Sequence, residues 1–102
     1  MTPAEIVSRI RQMRALAVAI ATEKEARDRH DGEKLERLAT LCEATSPRLL
    51  GMYGNIRPYV AELGRATRRS LDRGLDLDAI MRALLGAEIA AQIHPTLKTP
   101  EA

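Results

Sequence analysis

The chain has 102 residues, of which 45% are hydrophobic and 29% charged, with a net charge of +2. That size fits one domain or one protomer of an oligomer, and the composition excludes a disordered chain. A charge so close to neutral argues against a bulk nucleic-acid binder, and the single cysteine, Cys42, excludes an intrachain disulfide and a cysteine-rich metal site.

The apolar set is almost entirely Ala, Leu, Ile, Val and Met, with no Phe or Trp and only Tyr53 and Tyr59 as aromatics. These are helix formers, so the expected class is all-α. Arg supplies 13 of the 16 basic residues, which suits bidentate carboxylate or phosphate contacts and equally a GC-rich genome.

Thr2-Pro3-Ala4-Glu5 reads as a capping box with Pro at the first helical position. From there Ile6, Ile10, Met13, Ala17 and Ile20 recur at 4-3-4-3 spacing, an apolar seam that Leu16 and Val18 widen. Arg9, Arg11 and Arg14 before the small apolar run 15–21 superficially copy a secretory signal. That run is short and Glu5 sits in the would-be basic region, so a helix of the folded domain is expected instead. No stretch approaches the ~20 apolar residues of a membrane span.

Asp31-Gly32 marks a turn, with Asp31 able to cap the next helix. The second helix carries the seam Leu35, Leu38, Cys42, Thr45, Leu49 and Met52, and the same count extends to Ile56, Tyr59, Leu63 and Ala66. Pro47 and Pro58 interrupt it, so a bent helix or two collinear ones are expected, with Ser46 as a cap. Gly74 closes the next helix, and Asp76 caps the last, with Leu75 placed to staple onto Ile80. The expected buried stripe of the last helix is Leu77, Met81, Leu84 and Ala91, flanked by Ile80, Leu85, Ile89 and Ile93. His94-Pro95 ends it. The whole predicts an elongated antiparallel helical hairpin or bundle of three to four helices, a single domain over 1–95 with a flexible tail over 96–102.

Chemistry-bearing residues are sparse. Cys42 falls on the seam, where a small core residue is expected rather than a nucleophile. Asp28, His30 and Asp31 cluster beside a turn, but a metal site would need further ligands from elsewhere. No catalytic residues, metal or cofactor are expected. Arg65, Arg69 and Arg73 form an i,i+4,i+8 basic stripe with Arg68 beside it. Glu62 and Asp72 are positioned to satisfy part of it, and no aromatic residue interleaves for base stacking. The wide apolar face of 77–93 is either core or a helix-docking surface.

At Glu23–Met52 the chain resembles the FlgN family of flagellar export chaperones. The likeness rests on Glu23-Lys24-Glu25-Ala26, the Asp31-Gly32-Glu33 turn, Leu35-Glu36-Arg37-Leu38 and the Leu49-Leu50 pair. The chain is shorter than that family's usual length and carries Pro47 and Pro58 where its helices tend to be continuous. The resemblance implies a cytoplasmic, non-catalytic chaperone that binds a helical segment of hook–filament junction subunits. Its C-terminal client-binding region would fall on Leu77, Met81, Leu84, Leu85 and Ile89, with Arg65, Arg69 and Arg73 as a polar rim.

Two alternatives stand beside it. One is a small helical regulator or adaptor acting through the Arg-rich face. The other is an enzyme resembling the all-α chorismate mutases, carried by Arg14-Ala15-Leu16-Ala17, Ile20, Lys24 and Glu36-Arg37-Leu38, with Arg14 and Lys24 implied as substrate-carboxylate contacts. A protein partner is expected, a homo-oligomer is compatible with the chain length, and a nucleic-acid partner is not expected.

Overall fold

A computed structural model describes residues 1–27 and 32–97. The first helix, α1 (Pro3–Arg27), begins in the expected capping box. Glu5 N–H donates to Thr2 Oγ1 at 3.2 Å, and Thr2 N–H donates back to Glu5 Oε1 at 3.2 Å. These bonds hold the Glu5 carboxyl below the usual range, the backbone bond from Thr2 contributing most. The whole α1 seam, Ile6, Ile10, Met13, Ala17 and Ile20, is buried, while Leu16 is half-buried and Val18 is 43% exposed.

The second helix, α2 (Gly32–Thr45), buries Leu35, Leu38, Ala39, Cys42 and Thr45. Asp31, the expected cap, and the Asp28/His30/Asp31 cluster lie outside the described residues. Beyond Thr45 the chain departs from the expected bent or collinear helix. Two 3-10 turns, Ser46–Arg48 and Gly51–Tyr53, replace it, and Ser46 makes no side-chain cap. Pro47 has no N–H for an intrahelical bond, so the chain tightens to Leu49 N–H donating to Ser46 O, turns extended at Leu50, and reverses at Gly51, whose φ of 59° favours glycine.

This detour also shifts the register. Met52 is 63% exposed and Tyr59 45% exposed, whereas Leu49, Ile56, Leu63 and Ala66 are buried as expected. Val60 takes the core position assigned to Tyr59.

The third helix, α3 (Arg57–Arg73), starts with Pro58 in its first turn and ends at Gly74, whose φ is 110°. The fourth, α4 (Leu77–Ile93), starts at Asp76, whose Oδ1 accepts from Ala79 N–H at 3.1 Å. Ser70 Oγ accepts from Asp76 N–H at 3.0 Å and ties the two helices across their short link. Leu75 is half-buried against the core.

The chain is all-α, with no strand among the described residues. Each helix packs on two others: α1 on α2 and α4, and α3 on α2 and α4. The radius of gyration of 13.5 Å is near the ~13 Å of a globule of this length, and the principal extents are 40 × 29 × 18 Å, so the four helices pack around one core in a body longer than it is thick. Leu97, assigned to a loose tail, is 5% exposed and joins that core. Thr96, also assigned to that tail, donates its N–H to His94 Nδ1 at 3.2 Å, and residues 98–102 lie outside the described residues.

Candidate helix-docking surface on the fourth helix

Along α4 the buried residues are Ile80, Ala83, Leu84 and Ala87. Nine residues separate Ile80 from Ile89, which at 3.6 residues per turn is two and a half turns. Ile89 therefore points away from the core, and with Leu85 and Ile93 it forms a row at i,i+4,i+8 that is 48%, 54% and 75% exposed in the order Ile89, Leu85, Ile93. The expected docking residues thus divide. Leu84 is core; Leu77 and Met81 are half-buried at its margin; Leu85 and Ile89 are exposed. Of the expected core stripe only Leu84 is fully buried; Ile80, expected at its flank, joins it, and with Ala83 and Ala87 takes the place of Leu77, Met81 and Ala91. The reason is geometric: a helix with apolar residues all round can bury only the side facing its two neighbours.

Beside the exposed row runs a groove of about 410 Å³, floored by Gly86 and Ala90 and walled by Ile89, Ile93 and Tyr59. The ring of Tyr59 approaches Gly86 so closely that a Cβ there would lie 2.5 Å from Tyr59 Cδ1. One end of the groove is set by His94, which is 9% exposed. Thr96 N–H donates to His94 Nδ1 at 3.2 Å, so the ring proton is on Nε2, which donates to Met52 O at 2.7 Å. Tyr53 packs on the same ring with centroids 5.1 Å apart. His94 therefore joins the end of α4 to the Gly51–Tyr53 turn, a structural role that its place in the sequence did not reveal. Glu88, the one charged residue between 83 and 97, is turned to α1, where both carboxylate oxygens accept from Arg14.

The second concave region lies between α2 and α3, about 460 Å³ in volume and lined by Cys42, Glu43, Gly64, Arg65, Arg68 and Asp72 among others. Its cations are met from within the fold. Arg68 donates to Glu43 at 2.7 Å through both Nε and Nη2, and to Glu36 at 2.7 Å through Nη1. These bonds raise the Arg68 guanidinium and hold the Glu43 carboxyl below the usual range. Arg65 pairs with Glu62 at 3.3 Å and Arg69 with the same carboxylate at 3.8 Å, while Arg73 is exposed in the last turn of α3. The basic stripe is thus partly neutralised on the protein's own surface. Cys42 is buried, and burial pushes its thiol up to about 12, the opposite of an activated nucleophile.

The two cations singled out for a carboxylate substrate are not brought together. Arg14 is engaged by Glu88, and Lys24 lies ten residues further along α1, about 15 Å on at the helical rise. Among the described residues no group of three or more His, Cys, Asp or Glu could hold a metal ion, and no helix is long and apolar enough to cross a membrane.

Comparison with known proteins found no matching family model, no matching curated protein and no matching solved structure.

Proposed function

We propose that this chain is a non-catalytic helix-binding protein, and that the outward row Leu85, Ile89 and Ile93 with Tyr59 takes the apolar face of a partner's amphipathic helix. One observation carries the proposal. The row lies on the side of α4 opposite its core residue Ile80, so no rearrangement of side chains can bury it within the chain. An i,i+4,i+8 ridge beside an apolar groove is the geometry by which one helix receives another. In this proposal the four helices run as antiparallel neighbours, α3 and α4 being joined by the short Gly74–Asp76 link.

The sequence likeness at Glu23–Met52 directs this binding activity to flagellar export. In that role the protein would hold the terminal helix of a hook–filament junction subunit in the cytoplasm before secretion. Arg65, Arg69 and Arg73 would then form a polar rim, partly screened by Glu62.

The test is binding of such a helical segment to the full chain, measured by calorimetry. Deleting α4 is unsuitable, because Ile80 and Leu84 belong to the core. Ile89→Asp removes the docking residue while leaving the core intact, and at least a tenfold loss of affinity is expected from burying a carboxylate against an apolar helix. Binding that survives Ile89→Asp at full strength overturns the assignment to this face.

A further inference from the structure

Beyond Ile93 the chain turns back over the end of α4, and His94 uses both ring nitrogens to fasten it. Thr96 N–H donates to Nδ1 at 3.2 Å, while Nε2 donates to Met52 O at 2.7 Å. Leu97 N–H closes the turn by donating to His94 O at 3.1 Å, and Thr96 Oγ1 donates to the Met52 sulfur at 3.7 Å. The turn delivers Leu97 to the core, where it is 5% exposed. The same strap sets one end of the α4 groove, which His94 and Pro95 line.

The Nδ1 lone pair can hold the Thr96 N–H or a proton, never both. Neutral imidazole accepts at one nitrogen and donates at the other, whereas imidazolium donates at both. A proton on Nδ1 therefore sets two donors against each other at Thr96. The bond from Nε2 to Met52 O survives that change and is strengthened by the charge. The ring thus stays attached to the Gly51–Tyr53 turn while the strap loses its hold. Pro95, with its fixed φ, leaves the Thr96 peptide little room to turn aside while the 94–97 turn stays closed.

The groups against the ring offer no counter-charge. From the Gly51–Tyr53 turn come the Met52 carbonyl and the ring of Tyr53. On α4, Ala91 O accepts from the His94 N–H, and Glu88 is bound to Arg14. At the start of α1, Glu5 is held by Thr2, and Arg48 and Arg57, which flank the turn in sequence, are exposed. Among the described residues no carboxylate pairs with His94.

We infer that protonation of His94 releases the strap over 95–97, lifting Leu97 from the core and opening the α4 groove at its His94–Pro95 end, so that acid regulates the docking face. This rests on the groove proposed above as a docking site but not on the identity of any client. The closed strap belongs to the neutral ring, so it is intact at high pH and lost as pH falls. An exposed histidine titrates near ~6.5, and only the open form takes the proton on Nδ1. Linkage therefore raises the open population about tenfold between about pH 7.5 and 5.5.

Nuclear magnetic resonance of the full chain tests each step. At about pH 7.5 the ring nitrogen shifts should show a bare Nδ1 and a protonated Nε2, and the other tautomer overturns the inference. Saturation-transfer measurements on the Leu97 methyls count the open form, which should rise about tenfold by about pH 5.5 with the midpoint of the His94 ring signals. His94→Gln keeps a donor toward Met52 O but cannot titrate, so it should remove the response. His30→Gln, at the only other histidine, should leave it unchanged. A His94 ring that titrates while Leu97 stays closed overturns the inference, as does a rise that persists in His94→Gln. Should His94→Gln unfold, the His94 and Leu97 midpoints in the natural chain decide alone: coincident midpoints support the strap, separate ones overturn it. No client takes part in these measurements. Failure of strap release leaves helix capture standing, and client binding that ignores Ile89→Asp leaves strap release standing.

Discussion

The ring of Tyr59 lies against Gly86, filling the space that a side chain at residue 86 would need. An added Cβ would be 2.5 Å from Cδ1 and 3.3 Å from Cγ of the ring, so the ring must swing off α4 to admit it. Gly86→Ala gains up to ~1 kcal/mol of helix propensity. It loses more through overpacking, a cost of about 1–3 kcal/mol. The expected net result is destabilisation by about 1 kcal/mol in urea unfolding. In a Tyr59→Ala background the same substitution should become neutral or stabilising, and the double-mutant cycle measures that coupling. Equal effects in both backgrounds would show that Tyr59 is not the obstacle.

The Arg68 bridge to Glu36 and Glu43 makes a prediction about acid. Glu43 has its folded-state value held below the 4.5 of an unperturbed glutamate, first by the hydrogen bond from Arg68. A depressed carboxylate contributes stability above its unfolded value, and the contribution is lost as pH falls through the folded value. Because the pair is exposed, its worth is about 1 kcal/mol or less. Glu43→Gln should therefore be slightly less stable than the natural chain between pH 6 and 8. The difference should shrink below about pH 4.5 and also in ~1 M salt. A gap that widens in acid contradicts this sign.

Two buried threonines separate the effect of one hydrogen bond from that of two. Thr67 Oγ1 donates to Leu63 O at 2.7 Å, a carbonyl already within the helix. Thr45 Oγ1 donates to Leu41 O at 2.6 Å and also accepts from Arg9 Nη1 at 3.1 Å, joining α2 to α1. Thr67→Val should be close to neutral, while Thr45→Val should cost about 1–2 kcal/mol by leaving a partly buried guanidinium group without its acceptor. Chemical denaturation of the two variants tests the order, and equal losses would assign no value to the Arg9 bond.

What was legible in the sequence and what was not follow from how local each cause is. The Thr2–Glu5 box, the Asp76 cap, the Gly74 stop and the α1 seam each depend on residues within a turn or two, and all appear in the structure. The exchange of Tyr59 for Val60 in the core depends on how far the chain travels between Pro47 and Pro58. Heptad counting cannot supply that distance once the helix is replaced by 3-10 turns. The α4 surface shows the same limit. Its apolar residues surround the helix, so periodicity could not choose which side its neighbours would cover. Only the packing of α1 and α3 placed Leu84 inside and Ile89 outside. His94 ends α4 as its place before Pro95 predicts, but its bond to Met52, 42 residues away, has no local signal.

Cys42 offers a native reporter of how firmly α2 and α3 are held together. Its thiol is buried and pushed up to about 12, so an aromatic disulfide reagent at pH 8 should label it only when the pair opens. The two helices approach closely where Gly64 faces it, since a Cβ on Gly64 would lie 3.1 Å from Cys42 Cβ. That neighbour is fixed to the backbone, so Gly64→Ala must move the helices apart by a few tenths of an ångström. The resulting packing loss is expected to exceed the propensity gain by about 1 kcal/mol, raising the open population roughly fivefold. When closing is faster than reaction, labelling follows that population. Gly64→Ala should therefore label about fivefold faster, while Gly86→Ala, on the other side of α3, should accelerate labelling only as far as it lowers global stability. Fast labelling of the natural chain would mean that Cys42 is reached without opening the pair, and would overturn the close α2–α3 contact on which the argument depends.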